Sequence, residues 1–271
     1  DADNGGPWNF GSYGIDYTTG ADRITSFSQR DGQLLDVFTP GAIITGVAIT
    51  TLKLTNTGTL DSMVDYSTLL PSADWTQFSY PDIIHIDGDI FAVTYRLGSR
   101  AEVKTFEITT AGMITNHTND AAWKYIFQPT SSYTIYSPRI VRVNPMLDSF
   151  IQTYAIVYPK TIGSDINNGV LLTIKIADNG SIVKNIYDSV LLGPVNFYAP
   201  DIVHIKNDIY AVVSRKVQYG TMSVRTVQIS NLGKIEKSFI DTLDIPMPEV
   251  TPGLSLKIVH VSNDIYLIGF N

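Results

Sequence analysis

Apolar and polar residues alternate in short runs along most of this 271-residue chain, and turn-forming residues separate the runs. Ile83 to Ile86 is apolar, Asp87-Gly88-Asp89 is a turn signal, and Ile90 to Tyr95 is a second apolar run. Period-two alternation between turns is typical of β-strands. Because no 3.6-residue apolar period persists, the pattern predicts an all-β protein without long helices.

This hairpin pattern recurs along the chain. PDIIHIDGDIFAVTYR begins at Pro81, PDIVHIKNDIYAVVSR begins at Pro200, a looser copy begins at Pro138, and the sequence closes on LKIVHVSNDIYLIGFN. Gly or Asn in the turn supplies the positive φ that a two-residue hairpin requires. A diverged copy turns at Asp31-Gly32. Five such first hairpins therefore begin near Arg23, Asp82, Arg139, Asp201 and Lys257.

A second hairpin follows four of the five first hairpins. Each of these has an alternating strand, a glycine turn and another strand, and the turns are centred on Gly58, Gly112, Gly180 and Gly233. Two hairpins make a four-stranded antiparallel unit of roughly 50 to 60 residues, which is the size of a β-propeller blade. The repeat therefore predicts a single β-propeller.

The predicted domain covers residues 1–271, with five four-stranded blades near 23–78, 81–136, 138–197, 200–248 and 252–271. The last blade lacks outer strands, so residues 1–20 are interpreted as an N-terminal closing segment in which 8–19 supplies a strand. A four-bladed ring and a fragment of a larger propeller are the alternatives.

Composition narrows the class of protein. Hydrophobic residues make up 44% of the chain and no apolar run reaches the roughly 18 residues that a membrane span needs. The net charge of −7 argues against a nucleic-acid partner, since phosphate binding requires a clustered basic surface. The absence of cysteine excludes disulfides and thiolate chemistry. Because the chain starts at Asp1, we expect that a leader or anchor was removed or that this is an excised segment of an extracellular protein.

Charged residues open the five predicted inner strands. Alternating acidic and basic side chains at the mouth of a propeller channel can bind a polar ligand. The same charges can instead pair with one another in a ring of salt bridges, which we call the collar. We favour the collar. The channel-mouth candidates are Arg23, Asp82, Arg139, Asp201 and Lys257.

Three histidines, His85, His204 and His260, occupy equivalent positions in separate repeats. A zinc site needs its ligands around one ion, whereas equivalent positions on separate blades point into separate gaps. We therefore expect hydrogen-bonded core histidines, no metal and no cofactor.

The stretch from 116 to 137 is rich in aromatic residues and has no counterpart in the other repeats. Exposed aromatic side chains stack on sugars or contact proteins, whereas the alternation in this stretch also fits an ordinary outer strand that ends at Pro129. The binding-surface candidates are Trp123, Tyr125, Phe127, Tyr133 and Tyr136. Two sequons place candidate glycosylation sites at Asn116 and Asn179.

Two inner-strand segments resemble those of arabinanase-type five-bladed glycoside hydrolases. Phe197 to Asp201 reads FYAPD, similar to the Ala-Pro-Asp segment of that family, and Tyr80-Pro81-Asp82 resembles its other inner-strand aspartate. The resemblance implies a third carboxylate, a glutamate acting as the acid, on another inner strand. The corresponding positions here hold Arg139 and Lys257. We therefore predict no catalytic residues and no enzymatic activity.

The repeats as a whole resemble the propeller modules of methanogen-type archaeal cell-surface and pilin-like proteins. This resemblance implies an extracellular, non-enzymatic module of a surface or filament protein, which contacts a protein partner, its own copies or a surface glycan. It implies neither nucleic acid binding nor direct membrane insertion. The alternative is a glycan-active enzyme or lectin of the arabinanase-like propeller type.

Overall fold

A computed structural model describes residues 23–30, 33–39, 48–54, 60–68, 81–97, 100–115, 121–128, 138–143, 150–162, 166–193, 197–216, 220–247 and 256–270. In these ranges the chain forms antiparallel strands and one short 3₁₀ turn at Ala121–Trp123. The sequence-based prediction of an all-β protein is confirmed.

The strands form five sheets in chain order. The first contains β1 (Arg23–Arg30), β2 (Gln33–Thr39), β3 (Ala48–Leu54) and β4 (Leu60–Thr68). The second contains β5 (Asp82–Asp87), β6 (Ile90–Leu97), β7 (Arg100–Ile108), β8 (Ile114–Thr115) and β9 (Lys124–Gln128), with β8 and β9 both paired to β7. The third contains β10 (Arg139–Val143), β11 (Ile151–Ile162), β12 (Ile166–Ala177) and β13 (Ile182–Leu191).

The fourth sheet contains β14 (Phe197–Lys206), β15 (Ile209–Lys216), β16 (Thr221–Gln228) and β17 (Asp241–Pro246), and the fifth contains β18 (Leu256–Ser262) and β19 (Ile265–Phe270). The first strands of successive sheets are neighbours: β1 lies beside β5, β5 beside β10, β10 beside β14, and β14 beside β18. This arrangement of antiparallel sheets is a β-propeller, as the repeat predicts. The proposed closing segment, residues 1–20, lies outside the described residues, and the predicted blade boundaries stay predictions.

The first-hairpin turns have the backbone conformation that the sequence predicts. Gly88, Asn207 and Asn263 have φ of +49°, +52° and +47°, the left-handed region that Gly and Asn tolerate best. The histidine before each turn bonds back to it: Nε2 of His85, for example, lies 2.9 Å from the Gly88 carbonyl oxygen.

The other two histidines of this column behave in the same way. His204 reaches the Asn207 carbonyl at 2.8 Å and His260 reaches the Asn263 carbonyl at 2.7 Å. The prediction of hydrogen-bonded side chains is therefore confirmed, but their core position is wrong. His85 and His260 are exposed and His204 is only half-buried, since the column lies at the turn end of each hairpin.

Hydrophobic cores fill the spaces between adjacent sheets. Between the second and third sheets, Ala92 and Val103 pack with Tyr154, Ile156 and Leu172, all of them buried. Between the third and fourth sheets a similar core forms, and its largest buried side chains include Phe197 and Tyr210. The sheets are therefore held face to face, with each strand contributing alternate residues to the two neighbouring gaps.

A repeated threonine hydrogen bond joins each of the first three sheets to the next. Oγ1 of Thr51 donates to the carbonyl of Gly112 at 2.7 Å, Thr105 donates to Gly180 at 2.6 Å, and Thr173 donates to Gly233 at 2.7 Å.

The accepting glycines have φ near +86°, +85° and +90°, where a side chain would be strained. A Cβ on Gly233 would also lie 2.7 Å from Cγ2 of Thr153 and 3.3 Å from Oγ1 of Thr173. The carbonyl of each glycine turn is therefore the acceptor that a threonine of the preceding sheet binds.

An aspartate on the fourth strand makes a second bond to the same turn. Oδ2 of Asp65 accepts from the Ile114 amide at 2.7 Å, and Oδ2 of Asp188 accepts from the Ile235 amide at 2.9 Å. Each acceptor lies opposite the threonine of its own sheet, with Asp65 paired to Thr51 and Asp188 to Thr173. We call the threonine and aspartate together the blade latch.

We expect Thr173→Val to lower the free energy of unfolding by about 1–3 kcal/mol, because the buried Gly233 carbonyl would lose its donor while the volume stays similar. Urea denaturation measures this change. Thr242→Val on the exposed part of β17 is the matched control and should change stability by less than about 0.5 kcal/mol. Equal effects of the two variants would show that the latch contributes nothing.

Candidate functional site

Four of the five channel-mouth candidates meet in one charged cluster. They lie at equivalent places: Asp82 and Arg139 open β5 and β10, Asp201 lies within β14, and Lys257 lies near the start of β18. Because neighbouring inner strands run side by side, their first residues converge. Arg23 opens β1, and only its strand position is described.

Asp82 is buried and contacts both cations of the cluster. Its Oδ1 lies 3.7 Å from a guanidinium nitrogen of Arg139 and 3.7 Å from Nζ of Lys257. Its Oδ2 accepts a hydrogen bond from the amide of Ile140 at 2.9 Å. Arg139 also donates to the carbonyl of Pro81 at 3.3 Å, which fixes the guanidinium against the strand that carries Asp82.

Asp201 repeats this arrangement two sheets further along. Its Oδ2 accepts from the amide of Ile258 at 2.8 Å, and its Oδ1 lies 3.5 Å from Nζ of Lys257. Each aspartate therefore binds the backbone of the next inner strand, while Lys257 bridges the two carboxylates.

The bridge sets an upper limit on the spacing of the two acids. Since Oδ1 of Asp82 and Oδ1 of Asp201 both lie close to the same Nζ of Lys257, they are no further apart than about 7 Å. Glycosidases place their two carboxyl groups about 5 to 9.5 Å apart. Sequence analysis predicted charges at the same mouth, but it did not reveal that Lys257 spans both acids.

Burial raises the pKa of Asp201 above its ordinary value, and the negative charge of Asp82 raises the pKa further. Lys257, Arg139 and the amide of Ile258 oppose the shift without cancelling it. Two acids that share cations in a poorly solvated place cannot both ionise as readily as they would in water. The arrangement therefore favours retention of a proton on Asp201.

The backbone before Asp201 is distorted. Ala199 has φ of +44°, a region that residues with a side chain rarely occupy, and the pairing of β14 with β15 slips between Tyr198 and Asp201. A bulge redirects the following side chain and is frequent next to functional sites. This distortion lies in the FYAPD segment, whose resemblance to arabinanase-type enzymes comes from the sequence.

The aromatic candidates that the structure describes contact the third sheet. Phe127 is buried, with its ring centroid 5.5 Å from that of Tyr158. Trp123 and Tyr125 are half-buried and pack against the same core, and the Trp123 ring covers Gly180 closely enough that a Cβ there would approach to 2.9 Å. The outer-strand alternative fits this placement, because β9 pairs with β7.

A binding surface on the remaining faces of Trp123 and Tyr125 stays a prediction, and Tyr133 and Tyr136 lie outside the described residues. The glycosylation candidate Asn179 is exposed in a glycine turn, and its side-chain oxygen accepts from the amide of Ser181 at 3.0 Å. Asn116 lies outside the described residues. Among the residues that are described, no cluster of potential metal ligands occurs.

A second buried charge cluster lies away from this mouth and was not predicted. Glu102 on β7 is fully buried, accepts from the hydroxyl of Tyr95 at 2.8 Å and lies 3.0 Å from Nζ of Lys124. Burial, together with the charge of Lys124, lowers the pKa of Lys104 to about 8. The sequence carries little signal for this cluster, because Glu102 and Lys104 alternate with Val103 and Thr105 as the residues of an ordinary strand do.

No family model and no curated protein matches the chain. Among solved structures, an exo-β-1,3-galactanase from Phanerochaete chrysosporium with β-1,3-galactotriose is 11% identical, covers 87% of this chain and 54% of its own, and superposes with a TM-score of 0.51. A second structure of that enzyme with the same sugar is 12% identical, covers 86% and 54%, and has a TM-score of 0.50. An endo-arabinase from Bacteroides thetaiotaomicron is 11% identical, covers 97% and 87%, and has a TM-score of 0.47.

At this identity the likeness shows the fold, a β-propeller, and this chain spans about half the length of the galactanase chains. The prediction of a non-enzymatic surface or filament module is wrong, because the propellers that this chain resembles are glycoside hydrolases. The arabinanase-type resemblance is the one that the matches support, whereas none of them supports the archaeal, pilin-like or adhesive one. Within the described residues, no helix is long and apolar enough to cross a membrane.

The raised pKa of Asp201 predicts a pH dependence of stability. The folded chain holds the Asp201 proton to higher pH than the unfolded chain, so the stability that this group contributes falls as pH rises above 3.8, the unfolded value. We expect the stability of the native chain relative to Asp201→Asn to decrease from pH 4 to pH 7 in urea denaturation.

Asp244→Asn is the control of opposite sign. A hydrogen bond from Lys216 lowers the pKa of the Asp244 carboxylate, so the advantage of the native chain over that variant should stay nearly constant from pH 4 to pH 7 and fall as pH drops below 3.8. Parallel curves for the two variants would contradict the assignment of a raised pKa to Asp201.

Proposed function

We propose that this chain is a glycan-active enzyme of the arabinanase-like propeller type that hydrolyses a glycosidic bond at the mouth formed by Asp82 and Asp201. The observation that carries the proposal is the pair of buried carboxylates, bridged by Lys257 and no more than about 7 Å apart. The likeness of the propeller to a galactanase supports the same class of reaction.

Glycoside hydrolysis requires one carboxyl group that keeps its proton and another that is ionised. Asp201, with its raised pKa, is the proposed proton donor to the departing sugar oxygen. Asp82 is the proposed ionised partner, because Arg139 and Lys257 both lie within ion-pair distance of its Oδ1. In this assignment Asp201 replaces the glutamate that the family resemblance implies and that the chain lacks at its inner-strand positions.

Lys257 controls access to the two acids. Its side chain is about a quarter exposed, whereas those of Asp82 and Asp201 are almost enclosed. A sugar reaches the carboxylates when the flexible four-carbon stem of Lys257 turns toward solvent. The displaced ammonium group then remains near enough to donate to a sugar hydroxyl. The proposed partner is therefore an oligosaccharide, and the proposed location is extracellular.

Glycan binding without cleavage is the second candidate function. It is favoured because both aspartates already have partners: each accepts a hydrogen bond from a backbone amide and contacts a cation. A lectin needs polar groups that are fixed in place, and it does not need an acid that exchanges its proton with the substrate.

We expect the chain to release reducing ends from β-1,3-galactan or arabinan oligosaccharides, and we expect Asp201→Asn and Asp82→Asn each to lower that rate by about 10²–10⁴-fold. Chromatography of the products measures cleavage. Asp87→Asn, at an exposed hairpin turn, is the matched control and should keep the native rate. Circular dichroism establishes that each variant is folded.

A glycan array on the same proteins separates the two candidates. Binding that both aspartate variants abolish, without cleavage by the native chain, would support the lectin. Cleavage that survives in Asp201→Asn would refute its role as the acid. If the native chain neither binds nor cleaves any of these glycans, both proposals are refuted.

A further inference from the structure

The acceptors of the charged cluster already have partners. Oδ2 of Asp82 accepts from the amide of Ile140 at 2.9 Å. Oδ2 of Asp201 accepts from the amide of Ile258 at 2.8 Å. The remaining oxygen of each carboxylate faces a cation. A ligand group that donates hydrogen bonds to these carboxylates would therefore have to displace a partner that is in place.

The two cations of the cluster, in contrast, keep donors that the two carboxylates do not use. Nε of Arg139 is buried and has no hydrogen-bond partner among the described atoms, and a buried N–H group of this kind normally marks a missing ligand or water. Nζ of Lys257 lies 3.7 and 3.5 Å from the two carboxylates. These are ion-pair distances, longer than the roughly 2.7–2.9 Å of a charge-assisted hydrogen bond.

The charge of the cluster favours the same kind of ligand. Its described side chains are two cations and two acids. Burial and the charge of Asp82 raise the pKa of Asp201, which favours its protonated form. When Asp201 holds its proton, Arg139 and Lys257 face a single carboxylate. Because charges in an enclosed place are only weakly screened, the excess positive charge attracts an anion that enters there.

We propose that the sugar bound at this mouth carries a carboxylate, so that the preferred ligand of the chain is a uronate-containing glycan. The carboxylate accepts from Nζ of Lys257 and from the guanidinium of Arg139, and it has no proton to donate. A neutral hydroxyl fits less well, because its own proton needs an acceptor. The inference rests on the proposed function for the place where the sugar lies, but it concerns the charge of the ligand and not its cleavage.

Lys257 is the part of the cluster that a ligand meets first. Its side chain is 25% exposed, whereas those of Arg139 and Asp201 are each 4% exposed. The carboxylate of the ligand pairs with the ammonium group, and the flexible stem of Lys257 lets this pair move relative to the two acids. Arg139 stays in place because it donates to the carbonyl of Pro81 at 3.3 Å. A mobile cation thus captures the anion and a fixed cation orients it.

One oligosaccharide in two charge states tests the proposal on the native chain. A β-1,3-galactan oligosaccharide is compared before and after oxidation of its primary hydroxyl groups to carboxylates, which leaves the linkage unchanged. We expect the oxidised form to bind about tenfold or more tightly in titration calorimetry, because it forms charge-assisted bonds with both cations. Equal affinity of the two forms, tighter binding of the neutral form, or binding of neither form would overturn the proposal.

Substitutions of Lys257 separate the effect of its charge from an effect on the fold. Lys257→Met removes the charge and should abolish the preference for the oxidised form, whereas Lys257→Arg keeps the charge and should keep the preference. Lys237→Met, at an exposed position between β16 and β17, is the matched control and should bind as the native chain does. A preference that persists in Lys257→Met, or that Lys257→Arg also loses, would overturn the role of the lysine charge.

A cleavage assay on the same two oligosaccharides distinguishes this inference from the proposed function. Hydrolysis of both forms with equal affinity would refute the charged ligand and leave the glycosidase proposal standing. Preferential binding of the oxidised form without hydrolysis of either form would support the charged ligand and count against the glycosidase. The comparison of the two forms uses the native chain alone, so it remains decisive if circular dichroism shows that a variant is unfolded.

Discussion

The fold depends on hydrogen bonds from the side chains of one sheet to the backbone of the next. Carboxylates on inner strands hold the following inner strand, as Asp82 holds Ile140, and the blade latch holds the following glycine turn. These bonds all point in chain order. They set the rotation and height of one sheet relative to its neighbour, which apolar packing alone specifies poorly because hydrophobic contact is non-directional.

Much of this could be predicted from the sequence, since strands and turns follow from local chemistry. Period-two alternation and the Gly or Asn at each turn gave the hairpins, and positive φ at Gly88 and Asn207 agrees with them. The charged residue opening each inner strand was also evident. Local chemistry could not predict which side chains pair across the fold. Lys257 bridges two acids that are far away in sequence. The histidines lie near the surface, where each bonds to the turn of its own hairpin.

The functional prediction failed for a related reason. A repeat shows what the copies share, and the absence of a glutamate at Arg139 and Lys257 led to the expectation of a non-enzymatic module. A catalytic acid is defined by its surroundings as much as by its residue type. Burial beside a second carboxylate gives Asp201 a raised pKa that no spacing in the sequence reveals. The likeness to solved propellers shows the fold, and the geometry of the two acids carries the proposal.

Lys257 comes from the fifth sheet, yet it contacts an aspartate of the second sheet as well as one of the fourth. The charged cluster thus joins side chains from sheets that are far apart in sequence, and it is complete only when Lys257 of the fifth sheet is in place. During synthesis, Asp82 emerges long before its second cation does. A ribosome-bound or truncated chain would hold the earlier sheets without the complete charged cluster, because Asp82 gains its contact with Lys257 only after the fifth sheet has been made.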